Sequence, residues 1–122
     1  MRFGTYFFLQ ATPGRPAAEI IADEMAQMVQ SEALGFDSVW LTEHHYADYG
    51  LSAAPSVLAA TLAARTERVT IGTAVYVVPF HHPLRLAEET ATLDILSNGR
   101  LVVGVGRGNR PLEFVGHGVR LA

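Results

Sequence analysis

The chain has 122 residues, 49% of them hydrophobic, and a formal charge of −3, the composition of a soluble globular protein with one core. Its basic residues are all arginine, scattered from Arg2 to Arg120 without a patch, so there is no platform for nucleic-acid phosphates or an acidic membrane, and no lysine for a Schiff base. The absence of cysteine excludes disulfides, thiolate nucleophiles and zinc-thiolate sites, so any redox chemistry must be borrowed from a cofactor.

The opening "MRFGTYFFLQATPGRP" carries one early arginine and a short apolar run broken by Gly4. With no small-residue cleavage pattern after it, the run reads as a first strand and not as a signal peptide. No run reaches membrane-spanning length, and the expected compartment is the cytoplasm. A helix is expected over Ala17 to Leu34, where Ile21, Met25, Met28, Val29 and Leu34 recur at three- and four-residue spacings between Pro16 and Gly35. The second strand is "SVWLTEH". Ser56 to Arg65 follows Pro55 as a second helix and leads into the third strand, "VTIGTAVYVV". Leu84 to Leu96 follows Pro83 as a third helix and stops at "SNGR", where Asn98 or Gly99 can turn left-handed before the fourth strand, "LVVGVG".

The apolar runs are continuous, as in parallel strands buried on both faces. The order β-α-β-α-β-α-β, with no linker, predicts one α/β domain over residues 1–122. A dinucleotide-binding sheet is disfavoured because the first turn, "QATPGRP", is too poor in glycine to cradle a pyrophosphate. A full (β/α)8 barrel needs about 250 residues. Four parallel strands and three helices make the N-terminal half of one.

In such folds functional groups gather where strands end. Glu43, His44 and His45 end the second strand, His81 and His82 follow the third, and Arg107 and Arg110 follow the fourth. Adjacent histidines on an extended chain point to opposite faces, so at most one of each pair is expected inward, and no metal site is expected. His82, directly before Pro83, is placed to cap the third helix, and His45 reads as a solvated loop residue. His44 is the candidate proton donor or acceptor. Gly104, Gly106 and Gly108 bare one face of the fourth strand, either because a narrow barrel is crowded or because a flat ring system lies there. Small Gly72, Thr73 and Ala74 would make similar room. Arg107 suits a phosphate, whose oxygens its guanidinium can pair, or an ion pair with nearby Glu113.

The stretches "RFGTYFFL", "GFDSVWLTEHHYADYG", "IGTAVYVVPFHHPLRLAEE" and "LDILSNGRLVVGVGRG" resemble, in order and spacing, the N-terminal half of bacterial luciferase-like flavin monooxygenases, most closely the luciferase alpha-subunit type. The resemblance implies a TIM barrel, reduced FMN delivered by a flavin reductase, molecular oxygen, and a small organic substrate such as an aldehyde. It makes His44 the catalytic histidine and Glu43 the acid beneath the flavin. Thr73, Ala74 and Val75 become the segment supporting the ring, at a non-proline cis peptide. Arg107 lies at the flavin phosphate, and His45 and His82 are substrate or support residues. Gly106 stands beside the flavin where luciferases carry cysteine, a departure that favours a general monooxygenase over a light emitter. Two alternatives remain at this stage: a deazaflavin- or nicotinamide-linked reductase on the same barrel, and an inactive half-barrel that assembles with a partner chain or a second copy.

Overall fold

The computed structural model describes residues 1–46 and 48–120. The elements run β1 (Gly4–Phe7), α1 (Ala17–Ala33), β2 (Ser38–Leu41), α2 (Pro55–Ala63), β3 (Thr70–Thr73), β4 (Tyr76–Val77), α3 (Pro83–Leu96), β5 (Leu101–Val102), β6 (Val105–Gly106) and α4 (Pro111–Gly116), with a short 3-10 turn at Val78–Phe80. The main sheet has the order β1-β2-β3-β5, all parallel, and β4 pairs with β6, also parallel. In the main sheet each strand lies beside its successor with a helix between them, which is the wall of an α/β barrel.

The third and fourth apolar runs each fold as two short strands instead of one. In the third the interruption falls at Ala74-Val75, whose peptide bond is cis, and in the fourth at Val103-Gly104. Leu41 O accepts from Ala74 N at 2.7 Å and Gly104 O accepts from Tyr76 N at 2.8 Å, so β4 resumes in line with its neighbours. Thr73 Oγ1 both donates to Gly104 O and accepts from Gly104 N, each at 3.0 Å. A side chain at Gly104 would strike the Thr73 carbonyl oxygen. At this position the glycine answers to backbone crowding.

The sheet has two different faces. Towards the helices, Val39, Leu41 and Ile71 pack with Met25, Met28, Leu62, Val69 and Leu93 in one buried cluster. Each such side chain contributes about 1.5–3 kcal/mol by leaving water. The opposite face carries the registered row Tyr6, Trp40, Gly72 and Val102. The Trp40 indole lies across Gly72, where a Cβ would collide with its ring. Tyr6 and Val102 keep 57% and 43% of their surface exposed. This is the face that an α/β barrel turns inward.

Helix ends follow the prolines. Pro83 opens α3, with His82 at the N-cap position but without a side-chain capping bond, so the expected cap is positional only. Asn98 and Gly99 both have positive φ, at 56° and 73°, where α3 ends. The fourth helix, α4, was not foreseen. Pro111 marks its start, yet six residues are under two turns and give no helical period.

Candidate active site

β2 delivers the first group of functional residues. Its strand ends at Leu41, but Thr42 and Glu43 stay buried at 1% and 2% exposure, which carries a carboxylate into the interior. A buried carboxylate needs partners that restore what water supplied. Glu43 accepts from His45 Nε2 at 2.8 Å, from His81 Nε2 at 2.8 and 3.0 Å, and from Val77 N at 2.8 Å. These bonds tie the ends of β2 and β4 to the turn that precedes α3.

The solvated reading of His45 is therefore corrected, since its imidazole is packed on Glu43 with 11% of the side chain exposed. The expectation that one histidine of each pair points inward holds for His81, which is bonded, and His82, which is exposed. It does not hold for His44 and His45. The strand has ended by Leu41, so period-two alternation no longer governs them, and both rings reach carboxylates.

His44 turns to a different acid. Its Nδ1 lies 3.1 Å from Oε1 of Glu113, which also accepts from His45 N at 3.0 Å. Glu113 sits on α4 and is 2% exposed, with Arg110 Nε 3.8 Å from the same oxygen. Phe8 and Tyr49 box the His44 ring at centroid distances of 5.0 and 4.9 Å, and the Arg110 guanidinium lies 3.8 Å over Tyr49.

A third histidine layer covers Glu43. His117 stacks on Phe80 at 4.3 Å and 5° and meets the edge of His45 at 4.5 Å. Its Nε2 is buried without a hydrogen-bond partner among the described residues. Burial pushes the His117 pKa below the usual imidazole value, and His45 adds to this while Glu43 opposes it. Nearby, burial raises the Tyr76 phenol above its usual value, opposed by the hydrogen bond it shares with Ser56 at 2.9 Å.

Two clefts meet at His44. One, of about 340 Å³, is lined by Glu43, His44, Ala74, Val75, Arg107 and Glu113 among others. The other, of about 510 Å³, is bordered by Tyr6, Phe8, His44, Tyr49 and Arg110. The first unites most residues singled out from the sequence. Thr73 lies just behind it, fully buried, with its hydroxyl committed to Gly104. Gly106 stands against Val75, whose Cγ2 would be 2.7 Å from a Cβ there, so bare backbone and Val75 share that wall. His82 lies outside both clefts' linings. Glu113 and His117 were missed as site residues because α4 was missed, and His81 because nothing in the sequence says which of two adjacent histidines turns inward.

The fold is the wall of an α/β barrel with polar side chains gathered at one rim, and comparison with known proteins gives its family. The family profile of luciferase-like monooxygenases matches residues 1–122, and the chain belongs to that family. The alkanal monooxygenase alpha chain of the Kryptophanaron alfredi symbiont is 38% identical over 114 residues, covering 93% of this chain and 32% of the relative. The oxygenase component of the flavin-dependent trigonelline monooxygenase of Acinetobacter baylyi is 35% identical, covering 93% and 32%. The chain thus spans about a third of the length of these relatives.

Among solved structures, the oxygenating constituent of 3,6-diketocamphane monooxygenase from Pseudomonas putida, a type II Baeyer-Villiger monooxygenase in complex with FMN, superposes with a TM-score of 0.92. It is 28% identical, and the match covers 98% of this chain and 33% of that one. An F420-dependent secondary alcohol dehydrogenase, also 28% identical, superposes less closely, at 0.73 over 88% of this chain and 32% of its own.

Proposed function

We propose that this chain supplies the catalytic rim of an FMN-dependent monooxygenase that uses reduced flavin and molecular oxygen to oxidise a small organic molecule. The observation that carries this reading is the convergence of His44, Glu43, Ala74, Val75 and Arg107 on one cleft. The residues present fit a flavin. Ala74 and Val75 offer a small-residue wall at the break between β3 and β4. Gly106 adds no side chain to that wall, and Arg107 provides a guanidinium for a phosphate at the cleft's edge. When bound, reduced FMN supplies the electrons that activate oxygen for insertion into the substrate.

The chain's own residues do the rest. Glu43, held by three donors, fixes the ends of β2 and β4 beneath the cleft. His44 holds or moves a proton at Nε2, since its Nδ1 already faces Glu113. Phe8 and Tyr49 flank the ring at 5.0 and 4.9 Å and hold its orientation. The inward row of Tyr6, Trp40 and Val102 requires the remaining barrel strands against it, from a continuation of the same polypeptide or from a partner subunit. The designation of the Acinetobacter relative as an oxygenase component supports a separate reductase as the source of reduced FMN.

A hydride-passing deazaflavin enzyme is the second reading, favoured by the likeness to the F420-dependent dehydrogenase and weakened by its lower TM-score, 0.73 against 0.92. Oxygen consumption separates the two. Reduced FMN with candidate aldehydes or cyclic ketones should consume oxygen and release oxygenated product. Product formation with a reduced deazaflavin and no oxygen uptake would overturn the FMN reading. Native mass spectrometry with added FMN, looking for flavin on the chain or on its assembly, checks binding without relying on turnover.

A further inference from the structure

Two carboxylates are buried at the rim, and they do different work. Glu43 is saturated by His45, His81 and the Val77 amide, and it makes no bond to His44. Glu113 belongs to α4, an element with no strand partner, and its Oε1 faces Nδ1 of His44 at 3.1 Å and receives the His45 amide at 3.0 Å. It thereby grips both the ring of His44 and the backbone of the next residue.

We infer that Glu113 is the positioning residue for His44, fixing its ring in the Nδ1–H tautomer so that Nε2 is the atom presented for proton transfer. The inference rests on the proposed role of His44 and adds the group that orients it. A carboxylate oxygen only accepts, so the ring nitrogen facing it must carry the proton. The ring cannot easily turn over to exchange its nitrogens, because Phe8 and Tyr49 flank it at 5.0 and 4.9 Å. The carboxylate is itself anchored. Phe114, the next residue, is 2% exposed and meets Phe80 edge-on at 4.9 Å, while Gly116 lies close beneath the Tyr46 ring. Arg110 stands 3.8 Å from Oε1, too far for a hydrogen bond that would replace His44. A short helix whose anchors all point at the rim is thus the mount for one acid, and that acid touches the candidate catalytic base.

The test reads the tautomer directly. In the 15N-labelled protein, long-range proton–nitrogen correlation at a pH where His44 is neutral should show Nδ1 protonated. An Nε2–H pattern in the unmodified protein overturns the inference. Glu113→Leu, which removes the acceptor, should abolish the Nδ1–H preference, whereas Glu113→Gln, whose amide oxygen can still accept, should keep it. If Leu does not fold at this buried site, the unmodified protein and the Gln variant still decide. With the flavin-loaded protein, Glu113→Leu should lower kcat by roughly tenfold or more while KM for reduced FMN stays within about twofold, with partial recovery in Gln. Equal loss in both variants, or a loss confined to KM, marks Glu113 as structural and overturns the assignment. An Nδ1–H tautomer in a protein without turnover would uphold Glu113 while sinking the monooxygenase reading.

Discussion

The two ends of the sheet solve the same electrostatic problem with different partners. At the end where strands begin, Glu32 accepts from the amides of Glu67, Arg68 and Val69, at 3.1, 2.6 and 2.7 Å. Arg100 donates to the carbonyls of Ser97, Ala63 and Val69 and to Thr66 Oγ1, at 2.7 to 3.2 Å. At the end where strands finish, Glu43 and Glu113 are bonded mainly to imidazoles. Peptide groups neither gain nor lose protons near neutral pH, so a charge bonded to them only holds the chain in place. An imidazole can exchange its proton there. The partner therefore distinguishes a charge that can only staple the fold from one whose partner can exchange a proton, and the division matches the two ends of an α/β barrel.

Exchanging the effects of the two ends would break this comparison. His44→Ala should depress turnover of the flavin-loaded protein by roughly 10²-fold or more while costing only about 1 kcal/mol in unfolding, because Glu113 keeps the His45 amide when the imidazole is lost. Unchanged turnover in a folded variant would remove His44 from the mechanism. Arg100→Met should do the reverse. Its guanidinium makes four bonds that tie the end of α3 to α2 and to the start of β3, and their loss should cost about 2–3 kcal/mol in urea unfolding. Turnover per folded molecule should then stay within about threefold. A large loss of turnover in folded Arg100→Met would show that the two ends are not independent.

How far each end could be read from the sequence follows the same physics. The helices α1, α2 and α3 were legible because Pro16, Pro55 and Pro83 stand immediately before or at their first residues, and Asn98-Gly99 marks one exit. Glu43, His44 and His45 were visible because polar residues directly after a continuous apolar run have few structural explanations. The break in the third run was not visible in periodicity, since Gly72, Thr73 and Ala74 fit a strand whether or not it is interrupted. The resemblance to flavin monooxygenases supplied the cis peptide there. Glu113 lies 69 residues from His44, and only the barrel wall brings them together. No spacing rule spans that distance. The bonding of Glu32 and Arg100 was equally hidden, because apart from the Thr66 hydroxyl the partners are backbone groups, and backbone leaves no signature in sequence.

A smaller effect sharpens the stapling end. Burial raises the Glu32 pKa, but the amides of Val69, Arg68 and Glu67 and the Arg68 charge outweigh it and leave the group below its ordinary value of 4.5. A carboxylate lowered in the folded state adds stability that is complete above 4.5 and is lost as pH falls through the folded value. Solvent screens this surface site, so Glu32→Gln should cost only about 1 kcal/mol at pH 7. The gap between the two proteins should close as the medium is acidified below 4.5. A gap that stays unchanged however far the pH is lowered below 4.5 would mean that the amides are satisfied by the side chain's shape and not by its charge.

The smallest effect tests the chemical end, and its sign is opposite. His117 has its pKa lowered by burial, with His45 and His81 adding positive charge nearby and Glu43 and Glu113 opposing them. The unfolded chain therefore takes up a proton at this side chain near 6.5, while the folded chain resists until the pH is lower. Stability is unaffected above 6.5 and declines as pH falls from there towards the folded value, by less than about 1 kcal/mol once screening is allowed for. His117→Phe keeps a ring that can stack on Phe80 and removes the titration. The variant should lose less stability than the parent between pH 7.5 and 5.5 in urea unfolding, with the other four histidines serving as a common background. Equal losses would mean that the His117 ring takes up its proton in the folded chain as readily as in water. The layer over Glu43 would then be open to solvent at this point, and the imidazoles would be distinguished from the staples at the far end by partner alone and not by burial.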